Sequence, residues 1–406
     1  MNSDLESSPP PSSPPFVEKH PIRQSSRQGT PEGFHFGGFF RQAVRATAAL
    51  ALVLLAACRT AGGAESADSN ADWLKSWRES NPVWRGVHLS AGNDEQAGTL
   101  AAELPRLAGV GVNVIVLEVD YHFQFRSHPE IAPGRAISAP GARALAQAAR
   151  RQGIRLIPQL NCLGHQSWSR TTDRLLEKHP EFDETPGQFP DNKGIYCRSW
   201  CPQNPDVNTV VFALIDELCE AFEADAFHVG MDEVFLIASE HCPRCRGGDP
   251  AKLFAKAVND LHSHIVAKRK LEMLMWADRL LDSKALGYSE WEAARNGTHP
   301  ALDLIPTDII LCDWHYGKQA AYPSVPLLLQ KGFRVWPSGW QPLDATQAFS
   351  AFARQQNDKR LLGYLCTTWG KVKIADTAKW PPVAEVLPEW SAAERRSPKV
   401  EARSAK

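Results

Sequence analysis

The sequence predicts a (β/α)8 TIM barrel, an α/β fold, over residues 81–375. Three observations support this prediction: short apolar segments alternate with amphipathic ones, the apolar segments number eight, and about 290 residues contain them all. The predicted strands cover residues 84–89, 112–119, 155–159, 226–229, 272–276, 308–312, 334–337 and 363–367.

Amphipathic segments between these strands predict the helices. The clearest cover residues 142–152, 207–222, 251–268 and 346–355. Gly153 and Gly332 each follow a helical pattern and precede a strand, which is the position of a helix C-terminal glycine. A doubly wound sheet is the alternative architecture. Because no Gly-rich nucleotide-binding turn follows the first strand, the barrel is the better prediction.

The first 58 residues predict an export signal that precedes the folded domain. Residues 1–38 are rich in Pro, Ser and Gly and predict a disordered extension. Two arginines then precede the apolar run 46–57, which is too short to span a membrane as a helix. Leu55-Ala56-Ala57-Cys58 resembles a bacterial lipobox, in which Cys58 would be lipidated; an ordinary cleaved signal or an uncleaved anchor is the alternative. We therefore expect an exported bacterial lipoprotein, in the periplasm or at the cell surface.

The segments on either side of the barrel, and the net charge of the chain, limit the domain boundaries and the classes of partner that we expect. Residues 59–80 predict a polar linker, and residues 376–406 predict a tail that packs and then becomes disordered. The formal net charge of -1 gives no general attraction to nucleic acid or to anionic membranes. We therefore expect no nucleic-acid partner, no cofactor, and membrane contact only through the N-terminal lipid anchor.

Polar and aromatic side chains lie near the ends of the predicted strands or follow them, at the face where a barrel of this class collects its active site. These side chains are His88, Asn93, Glu118, Asp120, Tyr121, Asn161, His165, His228, Asp232, Glu233, Trp276, Asp278, Asp313, Trp314, Tyr316, Trp336, Trp340 and Trp369. Indole rings suit the apolar faces of sugars, although core packing is the alternative for any single Trp. Together these residues predict a carbohydrate pocket.

The segment His228-Val229-Gly230-Met231-Asp232-Glu233 ends the fourth predicted strand with two adjacent acids. Two carboxylates repel each other in a dry site, so we expect one of them to keep its proton. A protonated acid beside a negative charge is what cleavage of a glycosidic bond needs. The alternative is a helix N-cap followed by an acidic first turn.

This segment resembles the His-x-Gly-x-Asp-Glu signature of glycoside hydrolase family 20, the β-N-acetylhexosaminidases. Residues 156–165, which end in Gly164-His165, are similar to the family's third-strand segment, and Trp369 lies where the family has a pocket-wall Trp. The similarity covers residues 84–370. It implies a glycosidase whose substrate is a carbohydrate with a terminal N-acetylhexosamine.

The resemblance also implies a role for each site residue. Glu233 would be the general acid/base, and Asp232 would orient the 2-acetamido group, whose carbonyl oxygen attacks the anomeric carbon in a substrate-assisted, retaining mechanism. His165 and Asp120 would form a relay behind Glu233. Residues 334–340 contain no acid that could act as a nucleophile, in agreement with this mechanism. The substrate-binding residues would be His228, Trp276, Trp314, Tyr316, Trp340 and Trp369.

Several positions depart from the family pattern. Asn93 stands where the family has a sugar-binding Arg, and Ser90 stands where it has an Asp. The family's Tyr–Asp pair after the seventh strand is missing, with Tyr316 or Asp313 as candidate replacements, and we expect no accessory N-terminal domain. Two alternatives follow: a barrel glycosidase of shifted sugar specificity that uses Glu118 or Asp313 as nucleophile, or a non-catalytic glycan-binding lipoprotein.

Four cysteines lie in the loops that follow the third and fourth strands. They are Cys197, Cys201, Cys242 and Cys245, the last two in a Cys-x2-Cys pattern. In an exported protein they predict disulfides, with a structural zinc site and free thiols as the alternatives. None of these alternatives gives a catalytic metal.

Overall fold

A computed structural model describes residues 72–390, which contain a closed barrel of eight parallel strands. The barrel strands are β1 (Trp84–Ser90), β2 (Val114–Glu118), β3 (Arg155–Cys162), β6 (Ala226–Gly230), β7 (Glu272–Trp276), β8 (Ile310–Trp314), β9 (Arg334–Gly339) and β10 (Gly363–Thr367). A short antiparallel hairpin, β4 (Ser167–Trp168) and β5 (Thr171–Thr172), lies in the loop after β3. Each barrel strand pairs with its sequence neighbour, and β10 closes the barrel on β1. The predicted TIM barrel is confirmed.

Helices follow most of the strands. They are α1 (72–80), α2 (Asp94–Gly109), α3 (Ala139–Arg151), α4 (Arg174–Lys178), α5 (Pro205–Ala221), α6 (Pro250–His262), α7 (Ser283–Leu286), α8 (Ser324–Gln330) and α9 (Leu343–Arg354). Side chains of Asn93, Ser138, Asn204 and Asp249 accept N–H groups at the starts of α2, α3, α5 and α6. These caps satisfy amides that the first helical turn leaves without partners.

Alternate side chains of each barrel strand point inward and form a compact inner cluster. Trp84, Ile157, Leu274 and Trp336 belong to it, and Trp336 is fully buried. A side chain on Gly86 would place its Cβ 2.1 Å from the Trp336 ring, so the glycine makes the room that this indole fills. The other strand face packs against the helices, which gives the two-layered core of a barrel.

A buried guanidinium holds the opposite end of the barrel, at the starts of the strands. Arg155 is 1% exposed and pairs with Asp225 and Glu272, the latter at 2.7 Å. Its guanidinium also lies 5.5 Å and 5.1 Å from the ring centroids of Trp77 and Trp84, within cation–π range. Burial alone would raise the pKa of Glu272, but the charge of Arg155 and of Arg334 lowers it to about 2.

Replacing Glu272 with glutamine should therefore lower the free energy of unfolding by about 3 kcal/mol at pH 7. A carboxylate with a lowered pKa stabilises the fold above its ordinary pKa near 4.5, and this contribution disappears as the pH falls toward about 2. Urea unfolding of both proteins between pH 7 and pH 3 measures the difference. Glu95→Gln is the control, because Glu95 pairs with Arg135 with both side chains 79% exposed. A difference that stays constant across this pH range would contradict the prediction.

The chain ends differ in part from the predictions. The expected linker over 59–80 is wrong for residues 72–80, which form α1 and insert Trp77 beside Trp84 because the indole is apolar enough to bury. The tail packs as far as Trp390, whose indole N–H donates to Ser350 Oγ at 2.8 Å. The predicted signal, the Cys58 lipidation site and residues 391–406 lie outside the described residues. Within residues 72–390, no helix has the length and apolar character needed to cross a membrane.

Candidate active site

The adjacent acids Asp232 and Glu233 follow β6 at the C-terminal face of the barrel, and His165 reaches both of them from the loop after β3. His165 Nε2 lies 3.3 Å from Asp232 Oδ2 and 3.1 Å from Glu233 Oε2. Asp232 is 5% exposed, whereas the side chains of Glu233 and His165 are 13% and 16% exposed. The structure therefore brings three of the predicted catalytic residues into direct contact.

The charge of His165 explains how two carboxylates can lie side by side. Burial alone would lower the pKa of His165, but the carboxylates of Asp232 and Glu233 outweigh this effect and raise the pKa well above 6.5. An imidazolium at neutral pH offsets the repulsion between the two acids. It also stands where it can exchange a proton with either of them.

The backbone of this face is held in left-handed conformations that side chains other than glycine rarely adopt. Asp120, His165, Met231, Glu233 and Trp369 have φ angles of 48°, 52°, 74°, 50° and 45°. Such strain concentrates where the surrounding structure fixes functional side chains in place. All but Met231 are residues to which the sequence assigned a role.

Two glycines allow the C-terminal ends of β3 and β6 and the loops that follow them to approach each other. A Cβ on Gly164 would lie 2.8 Å from the backbone oxygen of Asp232. Gly230 has a φ of 65°, and a Cβ there would lie 2.2 Å from Asn161 Oδ1. The position of the acid pair thus depends on the absence of side chains at both sites.

Gly164→Ala should displace the backbone of Asp232 and reduce kcat by about 10- to 100-fold with little change in KM. The added methyl group meets a backbone oxygen, and misplacement of catalytic groups by about 1 Å has effects of this size. Steady-state kinetics on an aryl glycoside measure the effect. The control is Gly134→Ala, since a Cβ there meets nothing within 4 Å. Equal kinetics for the two variants would contradict this account of Gly164.

Asp278, which follows β7, anchors the backbone of Glu233. Asp278 Oδ2 accepts the N–H of Glu233 at 2.8 Å and Arg279 Nε at 2.7 Å, while Oδ1 accepts Trp314 Nε1 at 3.3 Å. Burial raises the pKa of Asp278 to about 6, even though Arg279 opposes the rise. The sequence placed Asp278 at a strand end but gave it no role. An acid directly followed by an Arg was the signal that could have identified it.

Asp120 is near His165 but is held by another partner. Its Oδ1 accepts the backbone N–H of Asn161 at 2.8 Å. Burial and the charge of Glu118 raise the pKa of Asp120 well above its ordinary value, whereas His165 acts in the opposite direction. The relay through Asp120 to His165 stays a prediction.

Half-buried aromatic rings form one wall of the site. Trp369 donates its indole N–H to Tyr316 Oη at 2.7 Å, and Trp340 meets Tyr316 edge-on at 5.5 Å between ring centroids. Trp314 is nearly buried and stacks under Tyr316 at 4.8 Å. The structure thus brings Tyr316, Trp340 and Trp369 together, and their role in substrate binding stays a prediction.

His228 and Trp276 need correction as substrate-contact residues. Both are fully buried, with their rings 4.7 Å apart at the centroids, and Trp276 packs behind Trp369 at 5.4 Å. Their side chains alternate inward along β6 and β7 and so form the floor beneath the pocket. Burial lowers the pKa of His228 well below 6.5, which leaves this imidazole neutral at pH 7.

A second group of aromatic residues next to the acids was missed by the sequence. Tyr196 lies 5.8 Å from the His165 ring and 4.9 Å from the Trp291 ring. Burial, and then the charge of Glu233, raise the pKa of Tyr196. Trp168 and Trp291 are 54% and 36% exposed. These residues come from long loops without periodicity, so the sequence offered only their composition.

The positions that depart from the family pattern have structural roles. Asn93 caps α2 by accepting the N–H of Gln96, and Ser90 Oγ donates to Glu118 Oε2 at 2.7 Å. Asp313 is fully buried on the helix side of β8, where it accepts Ser324 Oγ at 2.7 Å. Asp313 therefore cannot be the alternative nucleophile or replace the missing pocket residues, because its side chain points away from the barrel interior.

The four loop cysteines do not meet as one group. Cys201, Cys242 and Cys245 cluster with Glu184, whereas Cys197 Sγ donates to the backbone oxygen of Glu233 at 3.5 Å. All four thiols are free and buried. The predicted four-cysteine group, as zinc ligands or as two disulfides, is corrected accordingly: the loop after β3 turns Cys197 toward the acid pair.

Three groups among the described residues have the geometry to hold a metal ion. They are Glu184 with Cys201, Cys242 and Cys245; His128 with Glu130 and His179; and His165 with Asp232 and Glu233. The last group is the acid pair with its histidine. There the positive charge of the His165 ring already offsets the negative charge of the two carboxylates.

The catalytic-domain model of glycosyl hydrolase family 20 matches residues 104–382. A comparison with curated proteins finds no match. Among solved structures, the chain is similar to the Flavobacterium johnsoniae chitobiase, with a TM-score of 0.58 at 18% identity. That alignment covers 77% of this chain and 49% of the chitobiase.

Two further solved structures show the same fold. The β-N-acetylhexosaminidase of Bacteroides fragilis gives a TM-score of 0.54 at 14% identity, over 76% of this chain and 65% of that one. The Vibrio harveyi exo β-N-acetylglucosaminidase gives 0.53 at 15% identity, over 77% and 55%. The chain thus spans about half to two thirds of the length of these proteins, and the likeness establishes the barrel fold.

Proposed function

Because the chain belongs to glycosyl hydrolase family 20, we propose that it is a glycosidase that removes terminal N-acetylhexosamine from a carbohydrate. The observation that carries this proposal is the contact of His165 with both Asp232 and Glu233 at the mouth of the barrel. Two carboxyl groups and a histidine whose pKa they raise lie together there. An acid beside a fixed negative charge suits a reaction whose transition state is cationic.

Glu233 is the proposed general acid/base. It is the more exposed member of the pair, so its carboxyl group can reach a glycosidic oxygen that enters the pocket. As an acid it protonates the leaving oxygen, and as a base it then takes a proton from the attacking water. His165 is placed 3.1 Å from its Oε2, where its charge can stabilise the carboxylate that Glu233 becomes between the two steps.

Asp232 is the proposed partner of the 2-acetamido group. Its Oδ1 is buried without a hydrogen-bond partner among the described residues, and can accept the acetamido N–H. That contact would turn the carbonyl oxygen toward the anomeric carbon and stabilise the positive charge of the cyclic intermediate. The substrate then supplies the nucleophile.

The wall of Tyr316, Trp340 and Trp369 is the proposed support for the sugar ring. Indole and phenol rings bind the C–H faces of a pyranose, and the Tyr316–Trp369 hydrogen bond fixes their orientation. We also propose export as a lipoprotein, supported by the basic flank, the apolar run 46–57 and the lipobox that ends at Cys58.

The direct test is hydrolysis of 4-nitrophenyl N-acetyl-β-glucosaminide and of the matching glucoside by the full chain. We expect release of 4-nitrophenol from the first and at least about 100-fold less from the second, because only the first carries the nucleophile. Faster cleavage of the glucoside would favour a barrel glycosidase of shifted specificity. Binding of sugar without turnover of either substrate would refute the proposed activity.

A further inference from the structure

Three cysteines and one glutamate converge between the two loops that carry the acid pair and His165. Cys201 Sγ lies 3.3 Å from Cys245 Sγ and 3.4 Å from Cys242 Sγ. With a carboxylate oxygen of Glu184, one ligand atom of each residue lies within 4.8 Å of the others. All four side chains are buried. We call this group the Cys3Glu cluster.

Glu184 is the unexpected member, and its surroundings point to a missing partner. It is 0% exposed, and Oε1 accepts the N–H of Ser239 at 2.9 Å. Oε2 is buried without a hydrogen-bond partner among residues 72–390. A buried carboxylate is costly unless it is paired or binds a metal. Its neighbours in the cluster are thiols, which are weak hydrogen-bond donors but strong metal ligands once deprotonated.

We propose that Glu184, Cys201, Cys242 and Cys245 bind one structural Zn²⁺ ion in a tetrahedral site. Zinc takes thiolate and carboxylate ligands in fours when its role is structural. Three thiolates and one carboxylate around Zn²⁺ carry the same net charge as a four-cysteine site. Binding displaces the thiol protons to solvent and changes no oxidation state.

The sulfur spacing favours zinc over a disulfide. Zinc–sulfur bonds of about 2.3 Å in a tetrahedron place two sulfurs about 3.8 Å apart. A disulfide requires about 2.05 Å. From 3.3 Å, the sulfurs of Cys201 and Cys245 need to separate by about 0.5 Å for zinc but approach by more than 1 Å for a disulfide. A disulfide would also leave the third thiol and Glu184 without partners.

The turn that carries two of the ligands has the spacing of a zinc site. In Cys242-Pro243-Arg244-Cys245 the two thiols are separated by two residues, and the N–H of Arg246 donates to the carbonyl oxygen of Cys242 at 3.1 Å. Pairs of cysteines at this spacing are common in structural zinc sites.

The site would hold the catalytic loops together. Glu184 and Cys201 belong to the loop after β3, which carries His165, and the Cys242–Cys245 turn belongs to the loop after β6, which carries Asp232 and Glu233. Ser239, which binds Glu184, lies between the acid pair and the turn. Zinc would therefore fix the contact between His165 and the two acids from outside the pocket. The metal site does not depend on which glycoside the barrel cleaves.

The test is the zinc content of the full chain, purified without chelators, equilibrated with Zn²⁺ and then freed of excess metal. We expect one Zn²⁺ per chain in the parent and in Cys197→Ser. Cys245→Ser should retain none, and Glu184→Gln should bind Zn²⁺ more than about 100-fold more weakly, since even outer partners of zinc ligands cost up to this factor. Cys219→Ser controls for the loss of a buried thiol remote from the cluster. A chelator competition assay gives the affinities.

A second measurement keeps the test valid if a variant fails to fold. Co²⁺ bound to the parent chain should give the thiolate charge-transfer and visible bands of a tetrahedral site. Removal of zinc should lower the melting temperature of the parent, and added zinc should restore it. Absence of stoichiometric metal, an intact mass about 2 Da lower from a disulfide (about one hydrogen atom per sulfur), or loss of zinc in Cys197→Ser would each overturn the proposal.

Discussion

Replacing Glu233 with glutamine should lower kcat/KM for a β-linked N-acetylglucosamine disaccharide by about 10³- to 10⁴-fold. The amide keeps the size of the side chain but cannot donate its proton to the leaving oxygen, and general acid catalysis contributes effects of this order. The loss should be smaller for the 4-nitrophenyl glycoside, because 4-nitrophenolate leaves without much protonation. Both rates are measured with the same enzyme preparation.

The comparison of the two substrates separates acid catalysis from misfolding. A variant that has lost structure loses activity on both substrates equally, whereas a missing acid affects the poor leaving group more. Glu240→Gln, an exposed position on the same loop, is the control and should keep the parent rates on both. An equal loss on both substrates from a well-folded Glu233→Gln protein would assign the proton transfer elsewhere.

Asp232→Asn should reduce kcat by about 10²- to 10³-fold while KM changes by less than about tenfold. The carboxylate is proposed to stabilise charge that develops on the acetamido nitrogen only as the ring closes, so its loss acts on the transition state more than on binding. Asparagine also removes one of the two negative partners of His165, which lies 3.3 Å from Asp232 Oδ2. The pKa of His165 should fall, because the raised value depends on these carboxylates.

NMR titration of the His165 ring gives the second readout for this variant. A lower pKa together with a lower kcat would match the account, since both follow from the lost charge. A large rise in KM with unchanged kcat would instead assign Asp232 to binding alone. An unchanged His165 pKa would contradict the proposed charge balance within the group of three.

The sequence was sufficient for the barrel and for the acid pair because both depend on local patterns. Alternating apolar segments gave all eight strands, and the positions of Asp232 and Glu233 just after β6 placed them on the active face. The third-strand segment that ends in Gly164-His165 brought the histidine to the same place. In each case the residues lie at the C-terminal end of a strand, and this fold places all such ends around the active site.

The predictions that the structure corrects depended on the directions of side chains and on the course of long loops. Trp276 is the last residue of β7 and Asp313 the last but one of β8, yet one side chain faces the packed interior and the other faces the helices. Successive side chains of a strand point to opposite faces, so an error of one residue in the position of a strand exchanges the side chains that face the interior with those that face the helices. The sixth predicted strand covered residues 308–312, whereas β8 runs two residues further.

The loop partners could not be paired from the sequence at all. The loop after β3 runs for more than 40 residues before α5, and its cysteines have no periodic spacing that relates them to the loop after β6. Counting cysteines grouped Cys197 with the other three, while the structure selects Glu184 in its place. Carboxylates are common in any loop, so the sequence around Glu184 does not mark it as a fourth ligand.

The central claim is that the substrate's own acetamido oxygen is the nucleophile, positioned by Asp232 and assisted by Glu233. It is tested most directly with 4-nitrophenyl glycosides of N-acetylglucosamine whose acetyl group carries no, one, two or three fluorines. We predict that kcat/KM falls steeply with each fluorine, because fluorine withdraws electrons from the attacking carbonyl oxygen. Rates that do not change along the series would show that another group attacks the anomeric carbon and would contradict the account.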